Sequence, residues 1–128
     1  MIPALSSLLA KDESLKAPIY GTLLQKRDYT FGYLALTERA LLLSLLHGDT
    51  TMLKGSRRIT FSSISDVKIK RSLIPFQYIL RIYTIEEEMI KLRLSRLVYG
   101  FPTQKENLDI FLSAISHYSQ DSGARWQP

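Results

Sequence analysis

The chain has 128 residues, a net charge of +5 and no cysteine, and 45% of its residues are hydrophobic. This length suits one domain with a substantial core, and the lack of cysteine excludes disulfides and thiol chemistry. No apolar run approaches the roughly 20 residues that a membrane-spanning helix needs. The N-terminus has no basic region before its broken apolar stretch, so we expect no secretory signal and a cytoplasmic protein.

The excess positive charge is concentrated in one third of the chain. Residues 57–100 contain nine Lys and Arg against four Asp and Glu, whereas residues 1–56 contain six against five and residues 101–128 two against three. Such asymmetry bears on partners rather than on the fold, and it favours anionic partners.

Residues 1–17 form an arm that precedes the strand pattern. Within it, residues 2–11 suit a short helix with Pro3 in its first turn and one apolar side, made of Ile2, Leu5, Leu8 and Leu9. A helix this short is unstable alone. It therefore packs either on its own barrel or on a partner, and the sequence leaves both open.

Seven strand-forming segments follow, separated by turn residues, as in a small sandwich or barrel. The continuous apolar run ALLLSLL in the third indicates burial on both faces or a contact surface. A loop is expected over residues 47–56. The predicted strands cover residues 18–26, 32–38, 40–46, 57–62, 65–71, 78–85 and 89–97.

One helical segment follows the strands. Thr103 and Glu106 form a T-x-x-E capping box, which predicts that a helix begins after Pro102. An apolar stripe at helical spacing predicts that this helix covers a barrel mouth. We expect residues 18–119 to form the barrel with its helix, and residues 120–128 to form a flexible tail. The stripe consists of Leu108, Phe111, Leu112, Ile115 and Tyr118.

Seven strands followed by one amphipathic helix is the element order of the pleckstrin-homology (PH) superfold. The stretch GYLALTERALLL resembles a block of the bacterial PH-like and GRAM-like families, in which a Gly begins strand two and a Thr and an Arg mark the next turn. Here these are Gly32, Thr37 and Arg39. ITFSSISDVKIK resembles the block that follows in those families, through Ile59, Phe61, Ser63, Ile64 and Asp66.

The resemblance covers about residues 18–118. It implies a mainly β fold, namely a partly open barrel of seven antiparallel strands plugged by one C-terminal α-helix. It implies no single function, because this superfold carries lipid, peptide and oligomer interfaces alike.

The residues offer no catalytic or metal site. His47 and His117 are far apart in sequence and lack a carboxylate at metal-ligand spacing. There is no G-x-S-x-G motif and no Gly-rich phosphate loop, and the three glutamates at 86–88 stand on a turn, where carboxylates are usually solvated. We therefore expect no enzymatic activity, no cofactor and no small-molecule substrate.

A basic sheet face is the first candidate binding surface. Strand parity predicts that five cations and one tyrosine point outward from strands five, six and seven. Such a face suits an acidic protein segment, an anionic headgroup or a nucleic-acid backbone. The alternative is an ordinary solvated face, since Lys and Arg on an exposed sheet also discourage aggregation. The residues are Lys68, Lys70, Arg81, Tyr83, Lys91 and Arg93.

The turn between strands five and six is the second candidate, because it carries the apolar residues Leu73, Ile74, Pro75 and Phe76. Either it folds back over a barrel end, or it is exposed and contacts a protein or a bilayer.

The mouth that phosphoinositide-binding PH domains use is a third candidate. Lys26 and Arg27 match its start, but strand two has no basic residue before Arg39. The glutamates at 86–88 would also repel a phosphate. The pattern therefore argues against specific phosphoinositide binding.

These features favour a non-enzymatic module for protein interaction or self-association, through an open strand edge, the helix groove or the apolar turn. The alternative is peripheral attachment to anionic membrane lipids through the basic face, with Phe76 as a wedge. Nucleic-acid binding ranks last, because Tyr83 is the one clear aromatic residue on the basic face.

Overall fold

The structure is a computed structural model that describes residues 5–26, 28–46 and 53–119. Within them, seven antiparallel strands form one sheet and are followed by one α-helix, so the predicted mainly β fold class is confirmed. Two short 3₁₀ turns lie at Phe61–Ser63 and Ser116–Tyr118. The elements are β1 (Lys16–Leu24), β2 (Tyr29–Leu36), β3 (Ala40–Leu46), β4 (Leu53–Thr60), β5 (Ile64–Arg71), β6 (Gln77–Thr84), β7 (Met89–Ser95) and α1 (Gln104–Ile115).

The sheet has the strand order β4-β3-β2-β1-β7-β6-β5, so β4 and β5 are its edges within the described residues. The central strand β1 pairs with β2 over most of its length but with β7 only over residues 21–24. The two halves of the sheet therefore diverge beyond that shared segment. The helix α1 packs against β1.

The main core lies between the sheet and α1. Four helix side chains are fully buried there against inward-facing strand residues such as Leu34 and Leu80. The predicted apolar stripe is therefore buried against the sheet, and its last member, Tyr118, stacks on Phe61 at a ring-centroid distance of 4.7 Å. The four helix residues are Leu108, Phe111, Leu112 and Ile115.

A second apolar cluster lies on the outer side of β2 and β3. Leu5 is fully buried against Ala35, Ala40 and Leu42, and Leu8, Leu9 and Leu15 pack at its margin. Strand β3 is thus buried on both faces, which explains its continuous apolar run. The described part of the N-terminal arm packs on its own barrel.

A buried carboxylate fastens this arm. The Glu13 side chain is buried and receives two hydrogen bonds from the Arg58 guanidinium, and Thr37 Oγ1 donates a third over 2.6 Å. These bonds, chiefly those from Arg58, lower the pKa of Glu13 from 4.5 to about 2. The pKa of Glu38 is also lowered to about 2, because the Ser14 hydroxyl and backbone N–H donate to it.

The positions Gly32, Thr37 and Arg39, which carry the first part of the family resemblance, each have a structural role. Gly32 lies so close to β3 that a Cβ atom there would be 2.7 Å from the carbonyl oxygen of Ser44. Thr37 Oγ1 accepts the backbone N–H groups of Arg39 and Ala40, each over 3.0 Å, and so closes the turn. Arg39 in turn donates to the carbonyl oxygen of Lys11 over 2.9 Å.

Several predicted boundaries need correction. The capping box is wrong: Thr103 makes no side-chain cap bond to the first turn of α1. Strand β2 begins at Tyr29, because Tyr29 and Thr30 still pair with β1. Gly55 and Ser56, predicted as loop, pair with β3 as part of β4.

Other predictions fall partly or wholly on residues outside the described ranges. The predicted N-terminal helix is one of these, since residues 2–4 are not described; residues 5 and 6 are helical and turns follow at 7–8 and 11–12. Residues 47–52 of the predicted loop and the predicted tail, 120–128, also lie outside the described residues. No helix in the described ranges is both long enough and apolar enough to cross a bilayer.

Candidate attachment surface

The register of β5, β6 and β7 places the predicted cations on one face. Lys68 pairs with Arg81 and Arg81 with Lys91, which makes one cross-strand row. Lys70, Ile79 and Arg93 make the next row. Directly paired residues of an antiparallel sheet project from the same face. The structure therefore brings all five cations together, and Tyr83 joins them, with the Lys68 ammonium 5.6 Å from its ring centroid.

These five cations have no ionic partner within the described part of the chain; its ion pairs involve other residues. Lys68 and Lys70 are exposed, and the other three are half-buried. Like charges directly opposite each other across strands destabilise a sheet. An anionic partner would relieve that repulsion. We call this surface the basic face.

The apolar turn between β5 and β6 points into solvent. Leu73 has an exposed fraction of 104% and Phe76 one of 57%, and Ile74 and Pro75 are also exposed. The alternative that this turn folds back over a barrel end is therefore wrong. We call residues 73–76 the apolar tip.

The apolar tip is held by backbone hydrogen bonds. The N–H of Ser72 donates to the carbonyl oxygen of Gln77 over 2.9 Å, and the N–H of Gln77 donates to that of Ile74. Phe76 has a φ of +64° directly after Pro75, which is the third position of a type II turn. Glycine normally takes that position, because a positive φ costs other residues roughly 1–2 kcal/mol.

The connection from β7 to α1 lies beside the tip. The backbone N–H of Arg96 donates to the carbonyl oxygen of Phe76 over 2.9 Å. The next residue, Leu97, is exposed, and Tyr99 has an exposed fraction of 102%. The sequence prediction did not include Leu97 and Tyr99, because nothing in the local pattern separates them from the end of strand seven.

Gln104 fixes this connection to the sheet. It is buried, accepts the backbone N–H of Tyr20 over 2.9 Å, and donates to the carbonyl oxygens of Tyr20 and Ser95. Phe101 packs its ring 5.4 Å from that of Tyr20. The sequence carried no signal for Gln104, since a polar residue in the first turn of a helix is usually solvated.

The opposite end of the molecule holds a cavity of about 540 Å³. Leucines and isoleucines line its interior, and Lys26, Lys91, Arg57 and Glu88 stand around it. Arg57 donates to both carboxylate oxygens of Glu88, and this pairing lowers the pKa of Glu88. Glu88 therefore neutralises a cation at this end, in line with the argument against a phosphoinositide mouth. Arg27 lies outside the described residues.

Solved structures similar to this chain include a domain from Leishmania infantum and a human domain. The C-terminal domain of an unknown protein from Leishmania infantum matches with a TM-score of 0.62 and 16% identity, over 89% of this chain and 93% of that one. The hSac2 domain of the human phosphoinositide phosphatase Sac2 matches with a TM-score of 0.62 and 12% identity, over 89% of this chain and 74% of that one.

The fold is PH-like. At these identities the similarity extends to the fold alone, so the more specific resemblance to bacterial and GRAM-like families stays a prediction. No family model matches the chain, and no curated protein matches its sequence.

Proposed function

We propose that this PH-like domain is a non-enzymatic attachment module whose basic face binds an anionic partner. The observation that carries the proposal is the two rows of cations on β5, β6 and β7 that lack ionic partners within the described residues. One structural neighbour belongs to a protein named as a phosphoinositide phosphatase, which supports an anionic lipid among the candidates.

A charge-reversal pair tests the proposal. The variant Lys68→Glu/Lys70→Glu changes the basic face, and Lys11→Glu/Lys105→Glu makes the same change in net charge at exposed sites elsewhere. The probes are phosphatidylcholine vesicles with and without about 30% phosphatidylserine, and soluble polyglutamate. Circular dichroism establishes that both variants are folded.

We expect the wild type and the control to bind both anionic probes at low salt and to release them as salt rises. The basic-face variant should bind at least about tenfold more weakly, since each cation near an anionic surface contributes about 1 kcal/mol. Equal loss in both variants, or no binding of the wild type to any anionic probe, would overturn the proposal.

The open edge of β5 supports a second candidate, the addition of a strand from a protein partner. Among the described residues β5 pairs only with β6. Its exposed side chains include Lys68, Lys70 and Arg71, so an acidic extended segment would fit. Two copies joined through β5 would oppose like charges. Light scattering over a range of concentrations tests self-association, and a strict monomer would restrict this candidate to a different protein.

A further inference from the structure

We propose that the anionic partner is a lipid bilayer and that the apolar tip enters its headgroup region while the basic face lies on its surface. This inference rests on the proposed function and names the partner. It places the inserted apolar tip at the end of the sheet remote from the cavity, and hence away from the mouth that phosphoinositide-binding PH domains use, while Lys91 of the basic face also borders the cavity.

The basic face and the apolar tip form one continuous surface. Strand β5 runs from Lys68 and Lys70 directly into the tip, and β6 returns from the tip through Ile79 to Arg81. The third strand, β7, brings Arg93 beside Ile79 and ends at Ser95, two residues before Leu97. Cations thus lead into exposed apolar side chains along all three strands.

The tip is built to keep an aromatic ring in solvent. Phe76 occupies a turn position that favours glycine, with a φ of +64°, yet its side chain remains 57% exposed. The strained conformation therefore leaves more than half of the residue in solvent. The backbone hydrogen bonds of the turn hold this conformation, and the exposed part of the ring is accessible to a partner.

The chemistry of this surface fits a bilayer better than the alternatives. A bilayer presents anionic headgroups above an apolar layer, so both halves of the surface are matched at once. Nucleic acid offers the charge without an apolar layer, and an acidic protein would need a separate pocket for each protruding side chain. Tyr99, fully exposed in the connection that follows Arg96, is of the residue type enriched where bilayers meet water.

Single-tryptophan variants test insertion. In a Trp126→Phe background, Phe76→Trp places the probe at the tip, and Ile85→Trp places it at a residue 66% exposed on the opposite turn. Vesicles contain phosphatidylcholine with about 30% phosphatidylserine, some of it brominated on the acyl chains. We expect the emission of Phe76→Trp to shift to shorter wavelength and to be quenched, and that of Ile85→Trp to change little.

The outcomes separate this inference from the proposed function. Binding to vesicles without a shift at Phe76→Trp would overturn insertion and leave electrostatic attachment standing. Binding to polyglutamate but not to anionic vesicles would overturn the bilayer as partner. Failure of the wild-type protein to bind either polyglutamate or anionic vesicles would overturn the proposed function itself.

A second pair of variants does not depend on fluorescence. Leu73→Ser/Phe76→Ser should weaken vesicle binding about tenfold, which corresponds to about 1.4 kcal/mol, and Ile85→Ser should not. Binding to polyglutamate should be the same in all of them. Equal vesicle binding by both variants would contradict the inference.

Discussion

The backbone N–H of Arg96 donates to the carbonyl oxygen of Phe76 over 2.9 Å, and this bond joins the two exposed apolar segments at one end of the molecule. The guanidinium of Arg96 is held in turn, by Asp109 at 2.8 Å and above the Tyr78 ring at 5.5 Å. The base of the apolar tip is therefore anchored both to α1 and to β6. Its position relative to the basic face is set by the fold.

Replacing Phe76 with glycine should separate stability from attachment. Glycine adopts the positive φ at this turn position without strain, but it also gains freedom in the unfolded chain. We expect the free energy of unfolding to stay unchanged or to rise by up to about 1 kcal/mol, while vesicle binding falls. Urea denaturation measures the first quantity and cosedimentation the second. A clear fall in the free energy of unfolding would show instead that the ring packs on the domain.

Replacing Gly32 with alanine should destabilise the domain by about 1–3 kcal/mol, because the added methyl group would overlap the carbonyl oxygen of Ser44 and the backbone cannot yield freely. Gly55→Ala is the matched control, since a Cβ atom there has no neighbour within 4 Å. Thermal unfolding of the two variants gives the comparison. Similar melting temperatures would mean that β2 and β3 are not held as closely as described.

Replacing Glu13 with glutamine should loosen the N-terminal arm. Arg58 would lose its bidentate carboxylate, while the neutral amide still fits the space. We expect a melting temperature several degrees below that of the wild type. Amide hydrogen exchange should become faster than in the wild type in residues 5–16, and change less in β6. Glu86→Gln, a change at an exposed turn, serves as the control. Unchanged exchange in the arm would contradict a fastening role for Glu13.

The lowered pKa values of two carboxylates in this region, Glu13 and Glu38, make the stability of the fold depend on pH. The pKa values of Glu13 and Glu38 are about 2 in the folded state, below the ordinary 4.5, so the folded state binds fewer protons than the unfolded state. Their contribution is therefore complete above about pH 4.5 and is lost as the pH falls towards 2. Urea unfolding of wild type and Glu13→Gln should show a stability difference that shrinks in this window. A difference that stays constant down to pH 2.5 would contradict the assignment.

The strand pattern could be predicted from sequence because it depends on local periodicity. Strand β3 was predicted with its observed limits, and the alternation along β5, β6 and β7 correctly predicted that Lys68, Arg81 and Lys91 share a face. Boundaries failed where pairing overrides local preference, as at Gly55, whose place in β4 depends on Leu45 opposite.

Contacts between segments distant in the chain could not be predicted from the sequence pattern. Neither the burial of Gln104 nor the pairing of Glu13 with Arg58 follows from residue spacing, since each depends on segments distant in the chain. The direction of the apolar tip was likewise open, because the same four residues suit a fold-back over the barrel or an exposed turn. In the structure the turn is exposed, and the carbonyl oxygen of Phe76 accepts the backbone N–H of Arg96.

Mapping of backbone amide signals by nuclear magnetic resonance shows whether the basic face and the apolar tip contact an anionic bilayer. Spectra would be compared with neutral bicelles and with bicelles that contain phosphatidylserine. We expect broadening and shifts to concentrate in residues 68–76, 79–83 and 91–99, and to occur only with the anionic lipid. Changes centred on the cavity end, around Lys26 and Met89, would contradict attachment through the basic face and the apolar tip.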